Sequence, residues 1–456
     1  MSAPGGLPPL LPLLQVAAGP GTAGDTAWML MSTALVALMV PGLALFYGGL
    51  VRTKSALNTM LMSIGALAVV SVQWVLLGYS LAFGDGSRWL GGLGWLGFAG
   101  VGAAPNPTYA AAIPHILFAA FQGMFAGIAV ALFSGAVVDR MRFVAFLLFG
   151  VLWTTVVYDP LAHWVWGVGG WLRQLGALDF AGGTVVHISA GTTALVLARV
   201  VGARRDFGRV PNVPHNVPFA LLGAGVLWVG WFGFNAGSAL AADGIAATAA
   251  LTTHVAGATG LAGWVLLELW RTGRATAVGA ATGAVVGLVA ITPAAGFVTP
   301  LAAIAIGALA VPGSFYALHR RPRTGLDDTL DVFACHGVAG IVGAVLTGVF
   351  ATRAVNPNGA DGLLAGNPSL VGVQLLAVAA TMVFVAVASL VLLAVVQALV
   401  PVRVPMAAEV QGIDLAEHGE EAYHGSDLSD LTGRRTSLGD AVVLPAAAVA
   451  PGLGPR

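Results

Sequence analysis

The chain alternates between long apolar stretches and short polar gaps. A bilayer core about 30 Å thick takes about 20 apolar helical residues to cross, and eleven stretches are of about that length. They cover residues 26–50, 56–84, 112–139, 143–164, 183–203, 216–240, 246–270, 275–293, 299–319, 331–352 and 370–399. The pattern predicts an all-α polytopic membrane protein with eleven transmembrane helices in one domain, residues 26–400.

The two ends of the chain differ from this pattern. Residues 1–25 contain an apolar stretch broken by prolines and lack the basic start of a secretory signal. We predict a flexible leader there, with a cleaved signal as the less favoured alternative. Residues 401–456 are polar and acidic, then rich in alanine, proline and glycine. This composition predicts a cytoplasmic tail that is disordered from about residue 424.

Basic residues mark alternate gaps between the predicted spans. These gaps hold Arg52 and Lys54; Arg140 and Arg142; Arg204, Arg205 and Arg209; Arg271 and Arg274; and Arg320, Arg321 and Arg323. The intervening gaps hold only Arg88, Arg173 and Arg353, or none. Because cytoplasmic loops collect lysine and arginine, the alternation predicts a cell-membrane protein with its N-terminus outside and its tail in the cytoplasm.

The composition supports the membrane assignment. Hydrophobic residues make up 57% of the chain and charged residues 9%, whereas soluble domains carry about 25% charged residues. A soluble globular protein is therefore excluded. The 63 glycines suit helices that pack closely in lipid. The single cysteine, Cys335, excludes an internal disulfide and any cysteine-based metal cluster.

Five spans followed by five more and a last one indicate an internal repeat, over about 26–203 and 216–352. His187 opens the fifth span and His336 opens the tenth, and Asp179 and Asp328 each lie eight residues before them. A half with an odd number of helices places its copy upside down in the membrane, as in many transporters. Ionisable residues inside a membrane mark functional sites. The two histidines can meet only if both helices begin deep inside the protein.

Six segments give the chain a family resemblance. They read Pro-Gly-Leu-Ala-Leu-Phe-Tyr-Gly-Gly-Leu (41–50), Ala-Phe-Gln-Gly-Met-Phe-Ala (120–126), Ala-His-Trp-Val-Trp-Gly (162–167), Asp-Phe-Ala-Gly-Gly-Thr-Val-Val-His (179–187), Trp-Phe-Gly-Phe-Asn-Ala-Gly-Ser (231–238) and Asp-Val-Phe-Ala-Cys-His-Gly-Val-Ala-Gly-Ile-Val-Gly (331–343). In this order, from about residue 25 to 423, the chain resembles an ammonium transporter of the Amt/Rh family, of the bacterial Amt type. The resemblance implies a transporter and not an enzyme.

The resemblance also implies where ammonium binds. Trp166, Ser238 and Phe125 match the family's outer recruitment site, and a small cation over a tryptophan ring gains about 0.5–2 kcal/mol. Phe125 and Phe234 match the pair of rings that closes the outer mouth. Taken alone, Trp166 would be interpreted as an interfacial anchor, and Phe125 and Phe234 as packing residues. The motifs instead favour the functional interpretation.

His187 and His336 match the family's twin histidines, which share a hydrogen bond along the pore. The resemblance implies that ammonium loses its proton, that ammonia crosses, and that the proton follows separately, so that transport is electrogenic. Asp179 is implied to support the site through hydrogen bonds to the backbone. The alternatives are an electroneutral ammonia channel and an ammonium sensor of the same family. From the residues alone, two structural core histidines or a redox enzyme with a bis-histidine haem also remain.

The expected partners follow from the resemblance. They are ammonium or ammonia as substrate, with methylammonium left open, membrane lipids, and two further copies of the chain in a homotrimer. A PII-type regulatory protein at the cytoplasmic face is a further candidate, because residues 403–423 resemble the family's tail. We expect no cofactor, no metal site and no nucleic-acid partner.

Overall fold

The computed structural model describes residues 22–423, most of which are helical. The helices that form the bundle are α1 Ala23–Leu50, α2 Thr53–Phe83, α3 His115–Ser134, α4 Phe143–Gln174 (broken near residues 167–170), α5 Gly183–Val201, α6 Val217–Ala239, α7 Gly244–Thr272, α8 Ala277–Ile291, α9 Pro300–Thr324, α10 Phe333–Phe350 and α11 Ser369–Leu399. Helix α1 begins at Ala23, slightly before the predicted start at residue 26. The rest of the predicted leader, residues 1–21, and the tail from residue 424 lie outside the described residues.

The predicted membrane class is confirmed, but the count of eleven spans is not. Among the described residues, ten helices are long and apolar enough to cross a membrane. Helix α8 has 15 residues and is therefore about 22 Å long, which is less than a bilayer core. Every residue from Ala281 to Ile291 is buried. Neighbouring helices thus surround most of α8.

A small β-hairpin is the departure from the all-α class. It lies in the connection between α2 and α3, where β1 Pro105–Asn106 pairs antiparallel with β2 Ala110–Pro114. Aromatic rings pack beneath it, and the His115 Nε2 atom lies 2.5 Å from the Tyr79 hydroxyl. The connection therefore forms a packed cap over one end of the bundle.

Two helices begin with a wider, π-helical turn that holds a histidine. These turns are Gly183–Ile188 at the start of α5 and Phe333–Val338 at the start of α10. Turns of this type are uncommon and occur frequently at functional sites. Their equivalent positions agree with the internal repeat that the two histidines indicate.

Glycines let α5 and α10 approach each other at these turns. A Cβ atom built on Gly191 would lie 2.4 Å from both the nitrogen and the Cα of Gly337. One built on Gly340 would lie 3.1 Å from the carbonyl oxygen of Gly183. The two backbones are therefore in direct contact, and this contact brings the histidine-bearing turns together.

A buried ion-pair network joins three loops on the face predicted to be cytoplasmic. The Asp327 carboxylate accepts from the Arg204 Nε and Nη2 atoms at 2.8 and 2.9 Å and from the Arg204 backbone N–H at 2.8 Å. The fully buried Arg140 donates to the Asp327 carbonyl oxygen at 2.5 Å. Burial would raise the pKa of Asp327, but the two guanidinium groups outweigh it and lower the pKa below the usual 3.8.

Asp327→Asn is expected to lower the free energy of unfolding by about 3–5 kcal/mol, because it removes the carboxylate nearest to the fully buried Arg140, at 4.0 Å, and leaves Arg204 with Asp139 alone at 3.4 Å. Since the pKa of Asp327 is lowered by folding, the carboxylate stabilises the protein above pH 3.8 and loses this contribution as the pH falls further. Melting temperatures in detergent measure the change. Asp206→Asn, which removes a partly exposed ion pair with Arg52, should cost only about 0–1 kcal/mol. Equal melting temperatures for both variants would contradict the stabilising role of Asp327 in the buried network.

The proximal tail packs against the same face. Helix α12, Met406–Gln411, follows the last span, and the Glu409 carboxylate accepts from Arg403 at 2.7 Å. The Asp414 carboxylate accepts from the backbone N–H groups of Leu57 and Asn58 at 2.9 and 2.8 Å, and so caps the start of α2. These contacts hold the tail beneath the bundle as far as Tyr423.

Candidate functional site

Three cavities follow one another through the bundle, and we name them for the predicted orientation. The outer cavity has a volume of about 440 Å³ and includes Phe125, Trp166 and Ser238 in its wall. The middle cavity, of about 10 Å³, is bounded by His187, His336 and Phe234. The inner cavity measures about 230 Å³ and shares His336 with the middle one. Together they form a path that narrows at its centre.

The three residues of the predicted recruitment site lie in the wall of the outer cavity. They come from α3, α4 and α6 and are 41 and 72 residues apart along the chain (125 to 166, and 166 to 238). The Trp166 ring stands at 88° to the Phe125 ring, with 6.3 Å between centroids. The Ser238 hydroxyl donates to the Phe234 carbonyl at 2.8 Å, so its oxygen lone pairs remain as acceptors. A ring face and an oxygen acceptor suit a small cation.

The rings of Phe125 and Phe234 separate the outer cavity from the middle one. Their centroids are 4.2 Å apart and their planes 32° from parallel, and both side chains are buried. A hydrated ion cannot pass without moving these rings. The predicted gate pair is therefore in contact, and it bounds the narrow part of the path.

Beyond these two rings the two histidines are in contact with each other. Their Nδ1 atoms are 3.3 Å apart, and the rings are stacked at 26° with 5.3 Å between centroids. A hydrogen bond between two Nδ1 atoms takes one proton, so one ring donates and the other accepts. The direct contact leaves no room for a haem iron between the rings, so the geometry does not fit the bis-histidine haem alternative.

The middle cavity has space for a molecule about the size of one water. A single water needs about 10–15 Å³ of space for its centre. This cavity has about 10 Å³. Its wall is mostly apolar, with members such as Leu43, Ile128 and Val285. The His187 Nε2 atom has no hydrogen-bond partner among residues 22–423. An apolar wall strongly disfavours an ion, whereas a small neutral molecule can enter.

Asp179 connects the outer cavity to the start of α5. Its two carboxylate oxygens accept from four successive backbone N–H groups, those of residues 182–185, at 2.7–3.1 Å. Its own carbonyl accepts from the Trp166 indole N–H at 2.9 Å. Gly182 takes a positive φ of 111°, which glycine adopts readily. The carboxylate of Asp179 thus contacts the backbone at the start of α5, and its carbonyl contacts the indole of Trp166.

The second half of the repeat does not copy this arrangement. The Asp328 carboxylate accepts from the backbone N–H of Phe333 at 2.7 Å, and its Oδ1 atom has no partner within the described part of the chain. Asp331 instead pairs with Arg321 at 2.5 Å at the edge of the inner cavity. The two aspartates eight residues before the histidines therefore differ in structure.

Sequence reasoning did not single out Trp231, which lies against the histidine pair. Its ring stacks on His187 at 26°, with 5.5 Å between centroids, and its indole N–H donates to Thr292 at 2.9 Å. It opens one of the six segments that carry the resemblance. Its place in that segment is the only sequence signal for Trp231, because a tryptophan in an apolar helix is otherwise interpreted as a packing residue.

The fold and the narrow apolar path define a polytopic membrane transporter for a small solute. Residues 27–423 match the sequence profile of the Ammonium Transporter Family. The chain belongs to this family.

Individual relatives agree with the family assignment. The chain is 51% identical to an ammonium transporter of Bacillus subtilis, over 88% of this chain and 99% of that protein. It is 50% identical to one from Aquifex aeolicus, over 88% and 93% of the two chains. The crystal structure of Saccharomyces cerevisiae Mep2 superposes with a TM-score of 0.79 at 37% identity, covering 84% of this chain and 88% of Mep2. A structure described as a sensor Amt protein has a TM-score of 0.80 at 28% identity, covering 87% and 98% of the two chains.

Proposed function

We propose that this chain carries ammonium across the cell membrane by separating it into ammonia and a proton. Ammonium binds in the outer cavity at Trp166, Ser238 and Phe125. It gives its proton to the neutral imidazole pair of His187 and His336, and ammonia passes the gate of Phe125 and Phe234. The observation that carries the proposal is the middle cavity, which has space for one small neutral molecule in a mostly apolar wall.

The energies support a deprotonated form in the pore. An ion pays a large desolvation cost in an apolar environment, which is why buried charged groups neutralise. The middle cavity offers no carboxylate in its wall to offset that cost. A neutral imidazole pair, His187 and His336, provides an acceptor and a donor. We propose that the proton crosses along this pair and that transport is electrogenic.

We also propose an orientation in the membrane, a domain organisation and a set of partners for this chain. We place the N-terminus outside and the tail in the cytoplasm, following the basic loops. The transport domain is residues 26–400, with repeats at about 26–203 and 216–352, and the tail is residues 401–456. The family resemblance supports three further proposals: a homotrimer, methylammonium as a second substrate, and a PII-type protein bound at the tail face. Exposed apolar side chains such as Leu301 and Trp270 supply surface for lipid or for a neighbouring subunit.

The test is the current that an ammonium pulse produces in proteoliposomes on a solid supported membrane. Wild type is expected to give a sustained current, and His187→Ala is expected to abolish it, because the substitution removes one half of the proton path. His254→Ala is a matched control, since His254 is exposed and lies in none of the three cavity walls. A wild type that moves ammonia without current would support the electroneutral alternative. Equal currents in all three proteins would contradict the proposed role of the histidines.

Trp166→Leu is expected to raise the ammonium concentration that gives half-maximal current by about 2- to 30-fold, because the ring contributes about 0.5–2 kcal/mol of cation–π attraction. The maximal current should change less, since the gate and the histidines stay in place. Trp89→Leu, at a half-exposed tryptophan outside the outer cavity, serves as the control. An unchanged half-maximal concentration in Trp166→Leu would remove Trp166 from the recruitment site.

A further inference from the structure

A separate cavity of about 370 Å³ lies on the tail side of the protein. It is open on one side and is bordered by the turn between α1 and α2, the first residues of α2, the loop between α5 and α6, and helix α12. It shares no lining residue with the inner cavity of the pore. Its wall contains four basic side chains, those of Arg52, Lys54, Arg205 and Arg209. We call it the basic cavity.

The two carboxylates in this wall already have partners. Asp206 accepts from the Arg52 Nη1 atom at 2.5 Å. Glu409 accepts from the Arg403 Nε atom at 2.7 Å, and from the backbone N–H of Arg205 at 3.2 Å. Each carboxylate is therefore held by an arginine, and the wall carries four basic side chains against these two acidic ones.

The remaining cations have no ionic partner in the described structure. The Lys54 Nζ atom donates to the carbonyl oxygens of Glu409 and Val410 at 2.5 and 2.9 Å, which carry no net charge. Within residues 22–423, Lys54, Arg205 and Arg209 form no ion pair with a carboxylate within 4.0 Å. Three cations around one cavity repel one another and attract an anion.

We propose that the basic cavity binds a phosphate ester. Arginine side chains offer paired donors that match phosphate oxygens, and such charge-assisted hydrogen bonds are strong. The volume lies in the range of cavities for small organic ligands, about 300–1,000 Å³, so it has room for a group attached to the phosphate. The ligand is therefore the phosphate of a lipid headgroup or of a soluble metabolite.

Basic loops alone do not explain this arrangement. Any connection on the cytoplasmic side collects lysine and arginine, and the end of α9 does so with Arg320 and Arg323. Those two residues are exposed, as Arg205 and Arg209 are, but they lie in the wall of neither the basic cavity nor the inner cavity. In the basic cavity, by contrast, residues from three segments converge. A bound phosphate would connect the tail, through Lys54 and α12, to the loop between α5 and α6.

The experiment compares two double variants of the full-length protein in nanodiscs of phosphatidylcholine. R205Q/R209Q removes two cations from the basic cavity, while R320Q/R323Q removes two cations from the end of α9. The soluble probe is glycerol 3-phosphate, measured by isothermal titration with glycerol as the uncharged control. The lipid probe is phosphatidylglycerol, titrated by native mass spectrometry against phosphatidylcholine.

Wild type and R320Q/R323Q are expected to bind at least one phosphate probe equally well. R205Q/R209Q should bind it about tenfold more weakly or worse, because two charge-assisted contacts are lost. Its melting temperature should stay unchanged, since neither guanidinium group forms an ion pair in the described structure. Binding of glycerol 3-phosphate identifies a soluble ligand, and binding of phosphatidylglycerol alone identifies a lipid headgroup.

Three results would overturn the proposal. The first is that neither probe binds wild type. The second is that both double variants lose affinity equally. The third is that glycerol binds as tightly as glycerol 3-phosphate. Equal loss in the two variants would show a general effect of surface charge. None of these measurements depends on ammonium transport, so they leave the proposed function untouched.

Discussion

Replacing Gly191 by alanine is expected to reduce ammonium transport by about two orders of magnitude. The new Cβ would lie 2.4 Å from the nitrogen and Cα of Gly337, and both are backbone atoms that cannot turn away. Helices α5 and α10 must therefore separate, which lengthens the 3.3 Å contact between His187 and His336. A misplacement of about 1 Å can cost about a hundredfold in rate, and overpacking costs about 1–3 kcal/mol of stability.

Proteoliposome currents and melting temperatures measure the two effects. Gly372→Ala in α11 is the matched control, because a Cβ there meets no atom within 4 Å. This control should transport normally and gain a few tenths of a kcal/mol up to about 1 kcal/mol from the better helix propensity of alanine. Normal current and an unchanged melting temperature in Gly191→Ala would show that the helices do not need this close approach.

Asp179→Asn should both destabilise the protein and abolish recruitment of ammonium. Each carboxylate oxygen accepts two backbone N–H groups. Whichever way the asparagine amide is turned, its NH₂ group faces two of these donors. Two buried N–H groups without acceptors cost about 1–3 kcal/mol each, so the free energy of unfolding should fall by about 2–6 kcal/mol. The displaced loop also releases the indole of Trp166, which donates to the Asp179 carbonyl.

The control for this substitution is Asp243→Asn at the start of α7. Asp243 accepts a single N–H, from Ala246 at 2.8 Å, and asparagine caps a helix about as well as aspartate. Melting temperature and current should therefore match wild type in Asp243→Asn. If Asp179→Asn kept its half-maximal ammonium concentration, the connection between Asp179 and Trp166 would not matter for recruitment.

The spans were predictable because each helix must be apolar over its own length. The predicted stretch 370–399 corresponds to α11, Ser369–Leu399, since lipid contact selects apolar residues locally. Helix α8 was harder to define, because the prediction of 275–293 ran past its end at Ile291. Residues beyond that end, such as Ala294 and Val298, are buried by other helices. Burial keeps a turn as apolar as a helix, so hydropathy does not show the boundary.

The candidate site was predictable only through the family motifs. Trp166, Ser238 and Phe125 belong to three helices, and no local pattern relates them. A tryptophan or phenylalanine in an apolar helix has the same hydropathy whether it faces lipid, the core or a cavity. The β-hairpin was missed for a related reason, since its longer strand, Ala110–Pro114, is apolar and short and resembles the start of a span.

The sequence by itself determined that this chain enters the membrane, which of its loops are basic, and that two histidines each open an apolar stretch. Each of these properties depends on the cost of moving local residues between water and lipid. The tertiary structure decided whether those histidines meet. Their contact depends on Gly191 and Gly337 lying opposite each other on two helices that are far apart along the chain. It also decided the size of the middle cavity, because a volume of about 10 Å³ is set by side chains from several helices at once.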